Sequence, residues 1–223
     1  MPRPRLPNAQ KLRERVLQSS RQAFLIAADA AANLVDLFQN SESMAFLAIK
    51  DCERELDQLE RQIDEDMPAA ITRVSEQKAR ELLACIRFIT DLERIGDLLM
   101  GSAQRLRVAS GIPRGGDRSV LVEMAATLKD MLVKVHHAFV DRNAEIAGAV
   151  LRADRDLNRL YHSLVRRHFE ADTKQDWRLK TNVLLIGGAL ERAGDHTQNL
   201  AEEVLHLIEG HTVRHQPKMK AES

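Results

Sequence analysis

Apolar side chains recur at three- and four-residue intervals along most of this chain, the signature of amphipathic helices. Val16, Ala23, Ala27, Ala30, Leu34, Leu37 and Phe38 trace a first helix from near Asn8 to about Phe38, preceded by an extended arm with prolines at 2, 4 and 7. Asn40-Ser41 reads as a turn, with Ser41 or Ser43 as the cap of a second helix from about Met44 to Asp66. Pro68 should end or kink that helix. A third helix runs from about Glu76 to Val108, and Gly111-Ile-Pro-Arg-Gly-Gly116 then breaks the pattern as a linker. Beyond it the spacing predicts helices over about Arg118 to Val140, Ala144 to Glu170 and Gln175 to Glu209. Asp141-Arg-Asn143 is a turn, Gly210 a C-terminal stop, and a polar tail starts at His211.

The pattern repeats. Leu92-Glu-Arg-Ile-Gly-Asp97 returns as Leu190-Glu-Arg-Ala-Gly-Asp195, with Glu191 lying 98 residues after Glu93. Glu53-Arg-Glu-Leu-Asp57-Gln-Leu-Glu60 matches Asp154-Arg-Asp-Leu-Asn158-Arg-Leu-Tyr161 in register, at an offset of 101. Two helices that agree on a period near one hundred residues imply duplication of a three-helix unit, over 8–110 and 117–210. The expected fold is all-α, built as two tandem three-helix bundles.

Composition agrees. Aromatic residues are 4% of the 223-residue chain, which contains only 10 glycines and 6 prolines, favouring long aliphatic helices over sandwiches or barrels. Lys plus Arg and Asp plus Glu both number 33, so no global basic field draws nucleic acid. Cys52 and Cys85 form neither a disulfide framework nor a zinc motif and read as small buried residues in a reducing, cytoplasmic compartment. The basic N-terminus lacks the apolar core of a signal peptide. The most apolar stretch, Phe24 to Phe38, is interrupted by Asp29, Asn33 and Asp36, so no membrane span is expected.

The candidate chemistry lies in the repeated carboxylates. A glutamate four residues before an aspartate stacks two carboxylates about 6 Å apart on one helix face. Steps of seven place Glu93 with Ile86 and Met100, beside an interleaved row of Leu82, Ile89 and Gly96, so Glu93 lies on an apolar stripe. Glu191 shares its row with Trp177, Leu184 and Leu205; Glu53 with Phe46, Glu60 and Met67. Inward carboxylates require a metal or an arginine partner. Each unit carries two such helices: Glu53 and Asp57 with Glu93 and Asp97, then Asp154 and Asn158 with Glu191 and Asp195. These oxygen donors suit hard or borderline ions, and His196 could add a nitrogen. Asn158 removes one negative charge from the second set. Asp64 and Asp66 are expected to face solvent, His136, His137 and His162 to sit on or near helix surfaces without binding metal, and His211 and His215 belong to the tail. Gly96 and Gly194 weaken their helices, so each implies close approach of another helix or a ligand shell; Gly187-Gly188 implies close helix packing.

The two Leu-Glu-Arg-x-Gly-Asp motifs, the run Leu190 to Glu202 and the pairing with Glu53-x-x-x-Asp57 resemble the PhoU family of bacterial phosphate-signalling proteins over nearly the whole chain. The resemblance implies two similar three-helix bundles whose acidic motifs bind metal ions (iron, manganese, magnesium or zinc). It also implies negative regulation of the phosphate-starvation response, between a phosphate ABC transporter ATPase and a membrane sensor histidine kinase; a homodimer stays open. The chain departs from the family at Asn158, usually an aspartate. It departs again after Asp97, where Leu98-Leu-Met100 stands against His196-Thr-Gln-Asn199 of the second copy, and at Arg73-Val-Ser75. A ferritin-like di-metal enzyme is the rival reading, but it needs two Glu-x-x-His motifs and only Glu203-x-x-His206 occurs. A third reading is a metal-free helical adaptor whose carboxylates pair with Arg94, Arg87 or Arg192. No Gly-rich phosphate loop, Ser/His/Asp order or reactive cysteine context supports catalysis, so a non-enzyme is expected.

Overall fold

The computed structural model describes residues 9–40, 43–108, 113, 115–170 and 177–210. They form six helices: α1 (Ala9–Asn40), α2 (Ser43–Ala70), α3 (Glu76–Val108), α4 (Gly116–Asp141), α5 (Ala144–Glu170) and α6 (Trp177–Glu209). The proline arm, Ser41, linker residues 111, 112 and 114 and the tail with His211 and His215 lie outside the described residues.

Local chemistry sets several boundaries. Asn143 caps α5 through its side-chain Oδ1, which accepts from the backbone N–H of Glu145 at 3.0 Å and of Ile146 at 3.1 Å. Gly210 ends α6 with φ of 76°, its N–H donating to the His206 carbonyl at 3.0 Å. The second helix does not stop at Asp66. It runs past Pro68 to Ala70, because a proline this close to the C-terminus removes one hydrogen bond from a turn that is already ending.

Every sequential pair of helices within a repeat packs, and the register is antiparallel. Arg15 near the start of α1 meets Asp66 near the end of α2, and the Arg107 guanidinium near the end of α3 stacks 4.3 Å from the Phe46 ring near the start of α2. Between the repeats, α1 packs on α4 and α3 on α6, with α4 also touching α6, so α2 and α5 lie outermost. An ion pair with one buried partner bridges α3 and α6. Arg87 Nη1 donates to both oxygens of Glu203 at 2.8 and 2.7 Å, and the Glu203 side chain is 4% exposed.

The apolar residues of both repeats form one continuous core. Phe24 of α1, Phe88 of α3 and Phe139 of α4 meet across the repeat boundary, with ring centroids 5.3 Å apart for Phe24–Phe88 and 5.0 Å for Phe88–Phe139, both edge to face. His136 packs against Phe24 and is half-buried, and burial lowers its pKa, with His137 and Arg21 adding repulsion.

Two side chains expected elsewhere are corrected by this packing. Asp64 is exposed, but Asp66 is buried, because both its oxygens accept from the Arg15 guanidinium. Trp177, on the same row as Glu191, is 68% exposed: it opens α6 and protrudes past its neighbours.

The shared core predicts that the two repeats unfold in one cooperative transition. Phe88→Ala should destabilise the whole molecule by about 3–5 kcal/mol, as expected for truncating a buried phenylalanine. Chemical denaturation followed by circular dichroism measures this; two separated transitions would show independent repeats.

Candidate functional site

The carboxylate motifs flank two tight helix contacts. A β-carbon on Gly96 would lie 2.7 Å from Leu56 Cδ1 and 3.9 Å from the Glu53 Cα, so α3 leans onto α2 where a larger residue would have to push the Leu56 side chain aside. In the second repeat Leu157 Cδ2 lies 2.2 Å from where a β-carbon of Gly194 would go, and Asp154 Oδ1 lies 3.3 Å from that position. Leu56 and Leu157 are both fully buried. Each glycine therefore marks a seat for a leucine of the neighbouring helix, and the acidic residue one turn before that leucine is carried to the same seam. Gly187 serves similarly beneath Leu164 and Tyr161.

In the first repeat Glu53 and Asp57 are half-buried on α2, Glu93 is half-buried on α3, and Asp97 is exposed. Burial raises the Glu93 pKa, and Asp97, Glu60 and Asp57 raise it further. Glu60 is raised for the same reasons, by burial and then Asp64 and Asp57. Arg94 answers part of this repulsion, lying 3.5 Å from Glu93 and 3.6 Å from Asp97. The site thus joins α2 to α3 and includes Glu60, which the step of seven through Glu53 had reached but which the i, i+4 motif left out.

The second repeat is arranged differently. Asp154 is buried at 4% exposure, and its Oδ2 accepts a hydrogen bond from Asn158 Nδ2 at 3.0 Å. Glu191 is half-buried and Asp195 exposed. Burial raises Glu191, then Asp195 does, while Arg192 and His162 oppose the shift. His196 does not join this set. Its Nδ1 lies 2.8 Å from Asp91 Oδ1 on α3, so it ties the repeats together.

A cation fits the donor chemistry of the first repeat, where carboxylates of two helices raise one another. Among the described residues, however, no three His, Cys, Asp or Glu side chains converge into a ligating group. Other chemistry is poorly served. Glu203, of the single Glu-x-x-His motif, is held by Arg87, and burial pushes the thiols of Cys52 and Cys85 up to about 11, far from the thiolate form.

A family model described as the PhoU domain matches residues 21–106 and again 121–204. Similar proteins include a "Phosphate-specific transport system accessory protein PhoU homolog" of Burkholderia sp, 29% identical over 191 residues, covering 81% of this chain and 80% of that protein. One of the same description from Rhizobium meliloti (strain 1021) is 32% identical over 163 residues, covering 70% and 68%. Among solved structures, the phosphate transport system regulatory protein PhoU from Streptococcus pneumoniae superposes with TM-score 0.82 at 19% identity over 92% of this chain and 99% of that one. PhoU from Pseudomonas aeruginosa gives 0.76 at 24%, over 91% and 97%. At those identities the structures speak for the fold.

The raised glutamates carry a stability consequence. A carboxyl whose folded pKa lies above its ordinary value of 4.5 stabilises the fold while protonated and loses that contribution as pH rises through the folded pKa. Without added cation, Glu93→Gln and Glu191→Gln should therefore each be slightly more stable than the parent at neutral pH, by under about 1 kcal/mol given solvent screening. The advantage should disappear on acidification below the ordinary carboxyl range. Thermal unfolding across a pH series measures it, and a destabilised Glu93→Gln at neutral pH would contradict the electrostatic account.

Proposed function

The chain belongs to the PhoU family, and on that premise we propose that it is a regulatory adaptor of phosphate uptake. In this reading it acts as a negative regulator of the phosphate-starvation response, linking a phosphate ABC transporter ATPase to a sensor histidine kinase from the cytoplasmic side. One observation carries the proposal: the PhoU domain recurs over both repeats, in a chain whose similar proteins are named accessory proteins of phosphate-specific transport. The naming of its relatives as accessory and regulatory proteins favours a non-catalytic role.

The proposal includes cation binding by the two carboxylate sets. Glu53, Asp57, Glu93 and Asp97 would hold the first ion, with Glu60 adding charge; Asp154, Asn158, Glu191 and Asp195 would hold the second. Iron, manganese and magnesium suit oxygen donors, and zinc is the borderline case. A bound ion would neutralise carboxylates that now raise one another and would displace Arg94 from Glu93 and Asp97. The position of Arg94 also favours a second reading, in which the arginine is the permanent counter-charge and the adaptor works without metal.

Deleting the gene in its host tests the regulatory proposal. Phosphate-responsive genes should become active in phosphate-rich medium, and their continued silence would refute negative regulation. The cation proposal has a separate test, titration of the purified protein with manganese or iron and measurement of bound metal. Glu93→Gln/Asp97→Asn should weaken binding by more than about tenfold, since even outer-sphere partners act on that scale. Glu191→Gln/Asp195→Asn should weaken it less, because Asn158 leaves that set one charge short. Unchanged binding in both double variants would show that these carboxylates are not the ligands, and no binding by the parent would favour the metal-free reading.

A further inference from the structure

One end of the bundle is chemically unlike the rest. The antiparallel helices bring together there the last turns of α1, α3 and α5 and the first turns of α2, α4 and α6. The four most exposed large apolar side chains among the described residues all lie at this end: Val108 and Phe169 at 81%, Met44 at 69% and Trp177 at 68%. Leu47, half exposed, is one turn away on α2. Val108 and Trp177 line a shared hollow of about 300 Å³ with Arg178, Thr181 and Asn182, so the end of α3 and the start of α6 form one surface. The stacking of Arg107 on Phe46 joins α2 to it.

The charge at this end is also distinctive. The chain as a whole has formal net charge zero. Here, however, Arg105, Arg107, Arg166, Arg178 and Lys180 surround the apolar side chains, opposed among the described residues by Asp36 and Glu170. Asp117 does not oppose them, being engaged by Arg167 at 3.3 Å and His168 at 3.1 Å. Arg178 lies 5.7 Å from the Trp177 ring, a cation over an aromatic face.

We propose that this end docks onto an anionic membrane surface, with Trp177, Phe169, Val108 and Met44 entering the interfacial layer and the arginines meeting lipid phosphates. An aromatic and aliphatic tip ringed by arginines matches the headgroup boundary, where tryptophan is favoured and long cationic side chains reach outward to charge. The surface consists of protruding helix ends, to which fluid lipid conforms without a complementary partner groove. Docking two copies end to end would bring like charges together, so self-association through this face is disfavoured. No helix among the described residues is long and apolar enough to cross a membrane, so the contact is superficial. The proposal stands independently of the regulatory role.

Trp177 is the only tryptophan in the chain and so reports on this face alone. Full-length protein should sediment with vesicles of phosphatidylcholine plus phosphatidylglycerol but not with phosphatidylcholine alone. Its emission should shift to the blue on binding, and added salt should reverse both effects. Arg105→Gln and Arg178→Gln should each lower the partition coefficient about fivefold, the scale for one basic residue at an anionic surface. Lys78→Gln, at the opposite end, should leave it unchanged. Trp177→Ala and Val108→Ser should also weaken partitioning while circular dichroism stays that of the parent. Failure to bind anionic vesicles, binding without a shift of Trp177 emission, or equal losses with Lys78→Gln would overturn the proposal. So would finding that Trp177→Ala dissolves a dimer while vesicles are ignored, which would assign the face to a second copy.

Discussion

Two leucines seated against two glycines hold the carboxylates in place. Leu56 rests on Gly96 and Leu157 on Gly194, 2.7 and 2.2 Å from where a β-carbon would stand. Replacing a helical alanine by glycine costs roughly 1 kcal/mol, so keeping glycine at both positions has to be offset by the contact it permits. That contact brings the backbones of adjacent helices close at the point where Glu53 and Asp154 are carried. A wider seam would admit water between the acidic pairs and weaken their influence on one another. The raised pKa of Glu93 thus follows from packing before it follows from charge.

The duplication conserved this geometry while altering the polar contacts around it. The start of α1 is fastened to the end of α2 by Arg15 on buried Asp66, and the start of α4 to the end of α5 by Asp117 with Arg167 and buried His168. The fastening occupies the same place in both repeats with its polarity reversed. Cross-repeat contacts show no such correspondence: Arg87–Glu203 and His196–Asp91 join α3 to α6, yet the repeat positions matching Arg87 and Asp91 are Leu185 and Ala189. Those bonds belong to the boundary between repeats, where each copy meets a different neighbour.

This division explains what was legible in the sequence. Helix periodicity, the hundred-residue repeat and the close approach at Gly96 and Gly194 are local or repeated signals, and they led to six helices in two similar sets. The limits of α3 and α5 coincide with those expected from the spacing. Pairings between distant helices left no such trace. Asp66 looks like one more acidic residue in Asp64-Glu-Asp66 until Arg15 is found opposite it, and His196 sits beside Asp195 in sequence while its ring turns to another repeat. Glu60 was accessible from the step of seven but not from the i, i+4 motif. Its membership in the site depends on which residues α3 presents to α2, a tertiary fact.

The two acidic sites have consequently diverged in chemistry more than in shape. In the first, Asp57, Glu60 and Asp97 all press on Glu93, and Arg94 supplies the nearby positive charge. In the second, the Asn158 amide donates to buried Asp154, so part of the charge is satisfied within one helix, and Arg192 and His162 ease Glu191 further. An amide at position 158 converts a like-charge pair into a hydrogen-bonded one, which lowers the demand for any external cation without disturbing Leu157 on Gly194. The same backbone arrangement can therefore support one seam where carboxylates crowd Glu93 and another where an amide replaces one of the charges. Asn158 in place of Asp57, together with Tyr161 in place of Glu60, sets the two apart.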